Sequence, residues 1–287
     1  MCTVRTPTPW CLVDDSVSPF WYNTETGEMQ FSKPAIVKTI PVAGHVQPTD
    51  PSIFSYFTHT SVVTGEVIRE YIEPLVGHLR HPLSGCTPSS AVGHLITDRS
   101  YIVPPTRVGK GRKYYFDAGA SSWSSGKGGP SLSYFTTVWG RHGVDFDVIE
   151  CWEGGTEVKD FYCDVPGEYL WRTHFHHGWI ASSVGNSSNV NPFVPSIIRE
   201  TVDREDYVLF KLDIDNGPVE KGTIEHLLED GNEDIEFIDE IVWEQHVDNY
   251  IMNPWWGETI DEGMTIADSY QYFLKLRMKG VRAHSWV

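Results

Sequence analysis

Cationic residues are scarce in this chain: 22 Lys and Arg stand against 39 Asp and Glu, a formal net charge of −17 over 287 residues. A surface that acidic repels phosphate backbones and anionic lipid, so neither nucleic acid nor a membrane surface is an expected partner. Cysteine is sparse as well. Cys2, Cys11, Cys86, Cys151 and Cys163 are odd in number and show no CxxC spacing. They read as free thiols of a reducing compartment, not as a disulfide frame or a zinc cage. No apolar run approaches the roughly 20 residues needed to cross a bilayer. The opening MCTVRTPTPWCLVDD lacks the long apolar stretch of a signal peptide. Together these absences predict a soluble, cytoplasmic protein. Two nucleotide signatures are also missing. There is no GxGxxG, and Gly126-Lys127 is followed by Gly128, with no glycine five positions before Gly126.

What is present is enough apolar surface to build a core: 40% apolar side chains, including 11 Trp, 13 Tyr and 13 Phe. The texture divides the chain into a small aromatic-rich module at 7–35, a connecting region at 36–108 and an α/β domain at 109–287. The connecting region is irregular, with one expected helix over 61–72 that stops near Pro74. Beyond 109, apolar runs alternate with glycine-rich turns. GRKYYFDAG, GVDFDVIECWE, DYVLFKLDID and FIDEIVWEQHVD read as strands ending near Asp117, Glu153, Asp215 and Asp248. Helices are expected at 131–139, 223–229 and 266–279. The last has an apolar face of Ile266, Tyr270, Phe273 and Leu274, with Gly280 at its end. Strands alternating with helices predict a mostly parallel sheet covered on both faces.

In the first zone, Trp10 is followed by Phe20-Trp21-Tyr22-Asn23, then Thr26-Gly27, Phe31 and Pro34. Two β-rich runs joined by a turn at 25–27 account for this pattern, with a third strand at 14–18 before them. The pattern resembles a WW domain, with Phe31 where the second tryptophan stands and Phe20 where the groove tyrosine stands. The resemblance implies a clamp of Trp10, Trp21 and Pro34, and a face of Phe20, Met29 and Phe31 for a proline-rich peptide.

The large domain carries acids at its strand ends. Asp117-Ala118-Gly119-Ala120-Ser121 follows the first strand, and Glu150, Trp152 and Glu153 close the second. Lys211-Leu212-Asp213-Ile214-Asp215-Asn216-Gly217 closes the third, with Glu220 nearby. In open α/β sheets ligands bind beyond the carboxyl ends of the strands. There Gly119 would let backbone approach a ligand, Asp117 would accept hydrogen bonds, a second-strand acid would take ribose hydroxyls, and Trp152 would stack on adenine. Charged residues within so apolar a third strand require pairing or function. Lys211 and Asp213 share a strand face and neutralise each other on the plainest reading, and alternation puts Asp215 beside them.

These stretches resemble the FkbM-type S-adenosylmethionine-dependent methyltransferases over about 112–287. The family's DVGAN, FEP and KIDVEG.E motifs correspond to the three segments, and its last strands to IVWEQHVD and GVRAHSWV. The departures are Ser121 for the family's Asn, Asp215 for its Glu, an added Asn216 and a glycine turn lengthened by SSWSSGKGGP. The resemblance implies a Rossmann-like class I methyltransferase sheet that binds S-adenosylmethionine through Asp117, Gly119, Ser121, Glu150, Trp152 and Glu153. Asp213 and Asp215 would face the methyl group, with Asp215 as base and a small-molecule, glycan or protein acceptor. His174-Phe175-His176-His177 supplies a rival group, His176, for contact with substrate. The same cluster, with Asp213, Asp215, Asn216 or His246, has metal-ligand chemistry, but the reading settles on no metal site. Trp255-Trp256 would cap a substrate cleft or join the core. The alternative to an enzyme is a methyltransferase-shaped scaffold without activity, which the lengthened turn favours.

Overall fold

The computed structural model of the chain describes residues 2–5, 10–13, 20–23, 29–30, 56–60, 65–73, 99–124, 130–248, 253–261 and 263–286. Near the N-terminus, β1 (Cys2–Arg5), β2 (Trp10–Val13), β3 (Phe20–Asn23) and β4 (Met29–Gln30) pair in sequence order as an antiparallel sheet. The β3–β4 hairpin matches the two β-rich runs expected there. The expected strand at 14–18 lies outside the described residues. So do the side chains of the clamp and of Phe20, Met29 and Phe31.

The expected helix over 61–72 is not formed. β5 (Tyr56–Thr60) and β6 (Val67–Tyr71) make an antiparallel hairpin instead. Burial in β6 alternates, with Glu70 buried between exposed Arg69 and Tyr71. That two-residue period belongs to a strand, and β-branched Val67 and Ile68 favour it.

Six parallel strands form the main sheet: β7 (Lys113–Ala118), β8 (Val148–Glu153), β9 (Thr173–His177), β10 (Tyr207–Leu212), β11 (Glu240–Trp243) and β12 (Arg282–Ser285). Their spatial order is β12-β11-β10-β7-β8-β9. The chain therefore winds outward from β7 to β9, returns to the centre at β10 and winds the other way. This is the doubly wound Rossmann-like order, and its switch point lies between β7 and β10. Every residue of β10 is buried, which explains its continuous YVLFKL run.

Helices cover both faces. α1 (Ser131–Arg141) sets Leu132, Phe135 and Trp139 against Tyr115, Leu209 and Val242. α2 (Val158–Tyr162) adds Phe161 on the same side. On the other face, α3 (Val194–Thr201), α4 (Gly217–Leu228) and α6 (Ile266–Met278) pack Ile198, Leu227 and Phe273 over Phe116, Phe210 and Trp243. α6 starts in a capping box between Thr265 and Asp268 and stops at Gly280, whose φ is +93°. A short α5 (Asn253–Trp256) precedes it. Among the described residues, no helix is long and apolar enough to cross a membrane.

A buried charge cluster joins 70–73 and 103–106 to the β11–β12 edge. His284 Nδ1 lies 2.6 Å from Glu73 Oε1 and its Nε2 lies 2.6 Å from Glu240 Oε1. Arg282 contacts Glu70 and Glu240, and Arg277 contacts Glu73. Glu240 also accepts from Trp139 Nε1 at 3.0 Å and from the Tyr207 hydroxyl. Carboxylates only accept, so His284 donates from both ring nitrogens and is an imidazolium. Protonated His284 balances Glu70, Glu73 and Glu240 against two arginines.

Burial opposes this charge on His284, but Glu73 and Glu240 outweigh it and raise its pKa above the ordinary 6.5. Burial likewise pushes Glu240 up, and His284 and Arg282 overturn that, bringing it to about 2. The His284 contribution is therefore complete below pH 6.5 and lost as pH rises through its folded value. The Glu240 contribution is complete above its ordinary 4.5 and lost as pH falls toward about 2. Urea unfolding across pH should show maximal stability between those limits. His284→Gln should cost about 3–5 kcal/mol near pH 6 and make the alkaline decline shallower, the remainder coming from Glu220 and His246, whose values are also raised. An unchanged pH profile in the variant would contradict this assignment.

Candidate functional site at the carboxyl ends of the strands

The carboxyl end of β7 is tied to that of β10 by charge. Asp117 is fully buried and accepts from the Tyr115 hydroxyl (2.6 Å), Ser131 Oγ (2.7 Å) and Lys211 Nζ (3.2 Å). Lys211 Nζ also lies 3.0 Å from Asp213 Oδ2. Burial would lower the Lys211 pKa, but Asp117 and Asp213 together hold it well above its usual value. Burial first and Asp117 second push both Tyr115 and the Cys151 thiol up, so neither ionises readily. The expected mutual neutralisation of Lys211 and Asp213 is present, with Asp117 as a third member. Asp117 is thus enclosed by protein and cannot touch a cofactor directly.

Gly119 is constrained by its own chain. Its φ is +104°, and a Cβ there would lie 1.5 Å from the carbonyl oxygen of Asp213. The close approach expected at this glycine is to the β10 backbone, not to a ligand. Gly119 N and Ala120 N both donate to Trp152 O, and Asp213 N donates to Ala118 O, which extends the pairing of β7 with β8 and β10 past the strand end. Half-buried Ser121 is held through its carbonyl, which accepts from Thr156 Oγ1 at 3.1 Å.

β8 contributes three candidates in three settings. Glu150 sits mid-strand and bridges His174 Nδ1 and His176 Nε2, each at 2.7 Å. Burial pushes Glu150 up, but the hydrogen bonds of His176 and then His174 hold it below the usual carboxylate value. This pairing, on the edge strand, separates His176 from Asp213 and Asp215, so it is not their neighbour. Trp152 is 3% exposed and lies near-parallel to Phe116 and His176, which leaves little ring surface for an adenine. Glu153 does reach the rim, half-buried, with Oε1 accepting from Gly155 N at 2.6 Å.

β10 ends at Leu212, three residues before the expected boundary, because the backbone turns at Asp215, whose φ is +56°. Asp215 therefore leaves the face of Lys211 and Asp213 and points toward the end of β11. Asn216 caps α4 by accepting from Val219 N. Glu220 fastens the turn: it accepts from Ile214 N at 2.9 Å and from Trp243 Nε1 at 3.3 Å. Burial first, then the Asp213 charge, pushes Glu220 up to about 8.

Beyond β11 stand Glu244, to which the sequence reading gave no role, and His246, which it weighed only together with the HxHH segment. His246 is 2% exposed and stacks on buried Trp256 at 4.7 Å, so Trp256 is packed into the wall of the site. Its Nε2 lies 3.0 Å from Glu244 Oε2 and 3.7 Å from Asp215 Oδ1. The signal was the Glu-Gln-His spacing just past an apolar strand, which places both side chains on one side. The alternative of grouping the HxHH segment with His246 is excluded by topology, since three strands separate β9 from β11.

Described residues line a cavity at each end of the sheet. One of about 420 Å³ lies beside Glu150, Trp152, His176 and Val190. A larger one of about 700 Å³ opens at the amino ends of β7 and β10, among Arg107, Lys110, Arg204, Asp206 and Glu236. The amino ends are the wrong side of an open α/β sheet for chemistry.

The Lys211 bridge generates a direct test. Lys211→Met would leave Asp117 and Asp213 without a buried counter-charge and should destabilise the fold by about 3–5 kcal/mol in urea titration. A loss below about 1 kcal/mol, the range of an exposed pair, would contradict the bridge.

Comparison of the chain with family models, curated proteins and solved structures finds no match.

Proposed function

We propose that the chain is an S-adenosylmethionine-dependent methyltransferase acting on a hydroxyl acceptor. The observation that carries this reading is the line of acids along the carboxyl ends on both sides of the switch point: Glu153 at the end of β8, Asp213 and Asp215 after β10, and Glu244 after β11. Lys211, the one ammonium of β10, is already held between Asp117 and Asp213. An acid-lined rim of this kind disfavours polyphosphate and favours a cationic ligand bearing ribose hydroxyls. S-adenosylmethionine combines a sulfonium charge with a ribose diol, so the donor set fits it.

Glu153 is the residue assigned to the ribose hydroxyls, since two syn oxygens match a diol. Asp213, fixed by Lys211, contributes negative potential where the sulfonium lies. The bound cofactor supplies an activated methyl carbon, and the protein's task is chiefly alignment. The acceptor's proton leaves toward the corner of Asp215, Glu244 and His246. Asp117 acts from beneath by positioning Lys211.

One observation favours the alternative of a scaffold without activity: the β7 turn at Gly119 is filled by the Asp213 carbonyl. Calorimetric titration with S-adenosylmethionine and S-adenosylhomocysteine separates the two readings. The enzyme reading expects binding by the wild type and about 10-fold weaker binding by Glu153→Gln, the worth of one charge-assisted hydrogen bond. Absence of binding by the wild type leaves the scaffold.

A further inference from the structure

The corner beyond β10 and β11 contains a nitrogen that the protein leaves without a hydrogen bond. His246 Nε2 is buried and has no hydrogen-bond partner among the described residues, although Glu244 Oε2 lies 3.0 Å away and Asp215 Oδ1 lies 3.7 Å away. The opposite side of the ring fixes the tautomer. Thr259 Oγ1 donates to the Trp256 carbonyl at 2.7 Å, so at 2.6 Å from His246 Nδ1 it acts as acceptor. Nδ1 therefore carries the hydrogen, and in the neutral ring Nε2 presents a lone pair. That lone pair faces two carboxylates. Two carboxylate oxygens and this buried nitrogen converge within 4.8 Å of one another, an arrangement that a cation held among them would stabilise.

We propose that Asp215, Glu244 and His246 form a binding site for a divalent metal ion. The ligand atoms all lie within 4.8 Å of one another. Bonds of about 2.0–2.2 Å in tetrahedral geometry put ligand atoms roughly 3.3–3.6 Å apart; His246 Nε2 already lies 3.0 and 3.7 Å from the two carboxylate oxygens, so closure takes a carboxylate shift of about an ångström. Two carboxylates and a neutral imidazole carry two negative charges, which matches a dication. The mixed oxygen and nitrogen set suits Mn²⁺ or Zn²⁺ better than a soft ion held by thiolates. The surroundings resemble the outer shell of a metal site: Nδ1 is oriented by Thr259, and Glu244 Oε1 accepts from Trp256 Nε1 at 3.3 Å.

The three ligands differ in exposure. Glu244 and His246 are buried, whereas the Asp215 side chain is 64% exposed. Three protein ligands with one open side leave coordination positions for water or for an acceptor oxygen. The left-handed backbone at Asp215 supports the assignment, because a non-glycine φ of +56° is uncommon and here turns the carboxylate toward His246.

Metal binding holds whether or not the chain transfers methyl groups, so its test omits the cofactor. The purified full chain, stripped with chelator, is titrated with Mn²⁺ and followed by electron paramagnetic resonance of the free ion, and in parallel with Zn²⁺ by calorimetry. One site per chain is expected for at least one of the two ions. Asp215→Asn is the informative variant, since the position is exposed and asparagine accepts a positive φ. It should keep the wild-type urea midpoint and weaken the tight site by at least about 10-fold. His246→Gln, with its folding checked by circular dichroism, should do the same. Binding that is absent for both ions, or equally strong in Asp215→Asn, would overturn the proposal and leave an ion pair between a protonated His246 and Glu244.

Discussion

A single buried ammonium holds the centre of this sheet together. Lys211 Nζ, 2% exposed as a side chain, sits between Asp117 of β7 and Asp213 at the end of β10. Two carboxylates cannot be carried so close together inside an apolar sheet without it. Its position, at the point where the chain reverses direction across the sheet, sets the relation of the two halves. The β7 turn then lies so close to β10 that only glycine fits at position 119. This closure also fixes the loops at the carboxyl ends of both strands: the 119–123 loop leans on β8, and the 213–216 turn projects Asp215 outward toward β11.

Charge is used in two ways in this fold. At the β11–β12 edge, Glu70, Glu73 and Glu240 are matched by Arg277, Arg282 and a protonated His284, and every group has a partner. That cluster seals an edge strand which would otherwise offer unpaired backbone. At the carboxyl rim the balance is different. Asp215, Glu244 and His246 meet with no cationic group of the described chain between them, and His246 Nε2 lacks a hydrogen bond. The first arrangement serves stability, and the second is poised for a ligand.

Much of the sheet was legible in the sequence because β7, β8, β10 and β11 are continuous apolar runs ending in acids or glycine. α6 was legible from its periodic apolar face and from Gly280, and α1 from its place between two strands. β6 was misread because its Val67–Tyr71 segment carries both β-branched and charged residues, and the alternation shows only once Glu70 is seen buried against Arg282. The role of Asp117 was hidden for a different reason. An acid at a strand end looks like a ligand group, and its neutraliser, Lys211, stands 94 residues away. The Asp215 corner needed information the sequence does not hold, since a positive φ carries the residue off its strand face. The Glu-Gln-His spacing after β11 was visible, but its partner across the rim was not.

The central claim is that ligand and cation gather on the carboxyl-end rim between β8 and β11. The most direct measurement is diffraction from crystals grown with S-adenosylhomocysteine and Mn²⁺, with data collected at the manganese absorption edge. The account predicts ribose density against Glu153 and an anomalous peak among Asp215, Glu244 and His246. Density instead in the cavity at the amino ends of β7 and β10, beside Arg107 and Arg204, would contradict it.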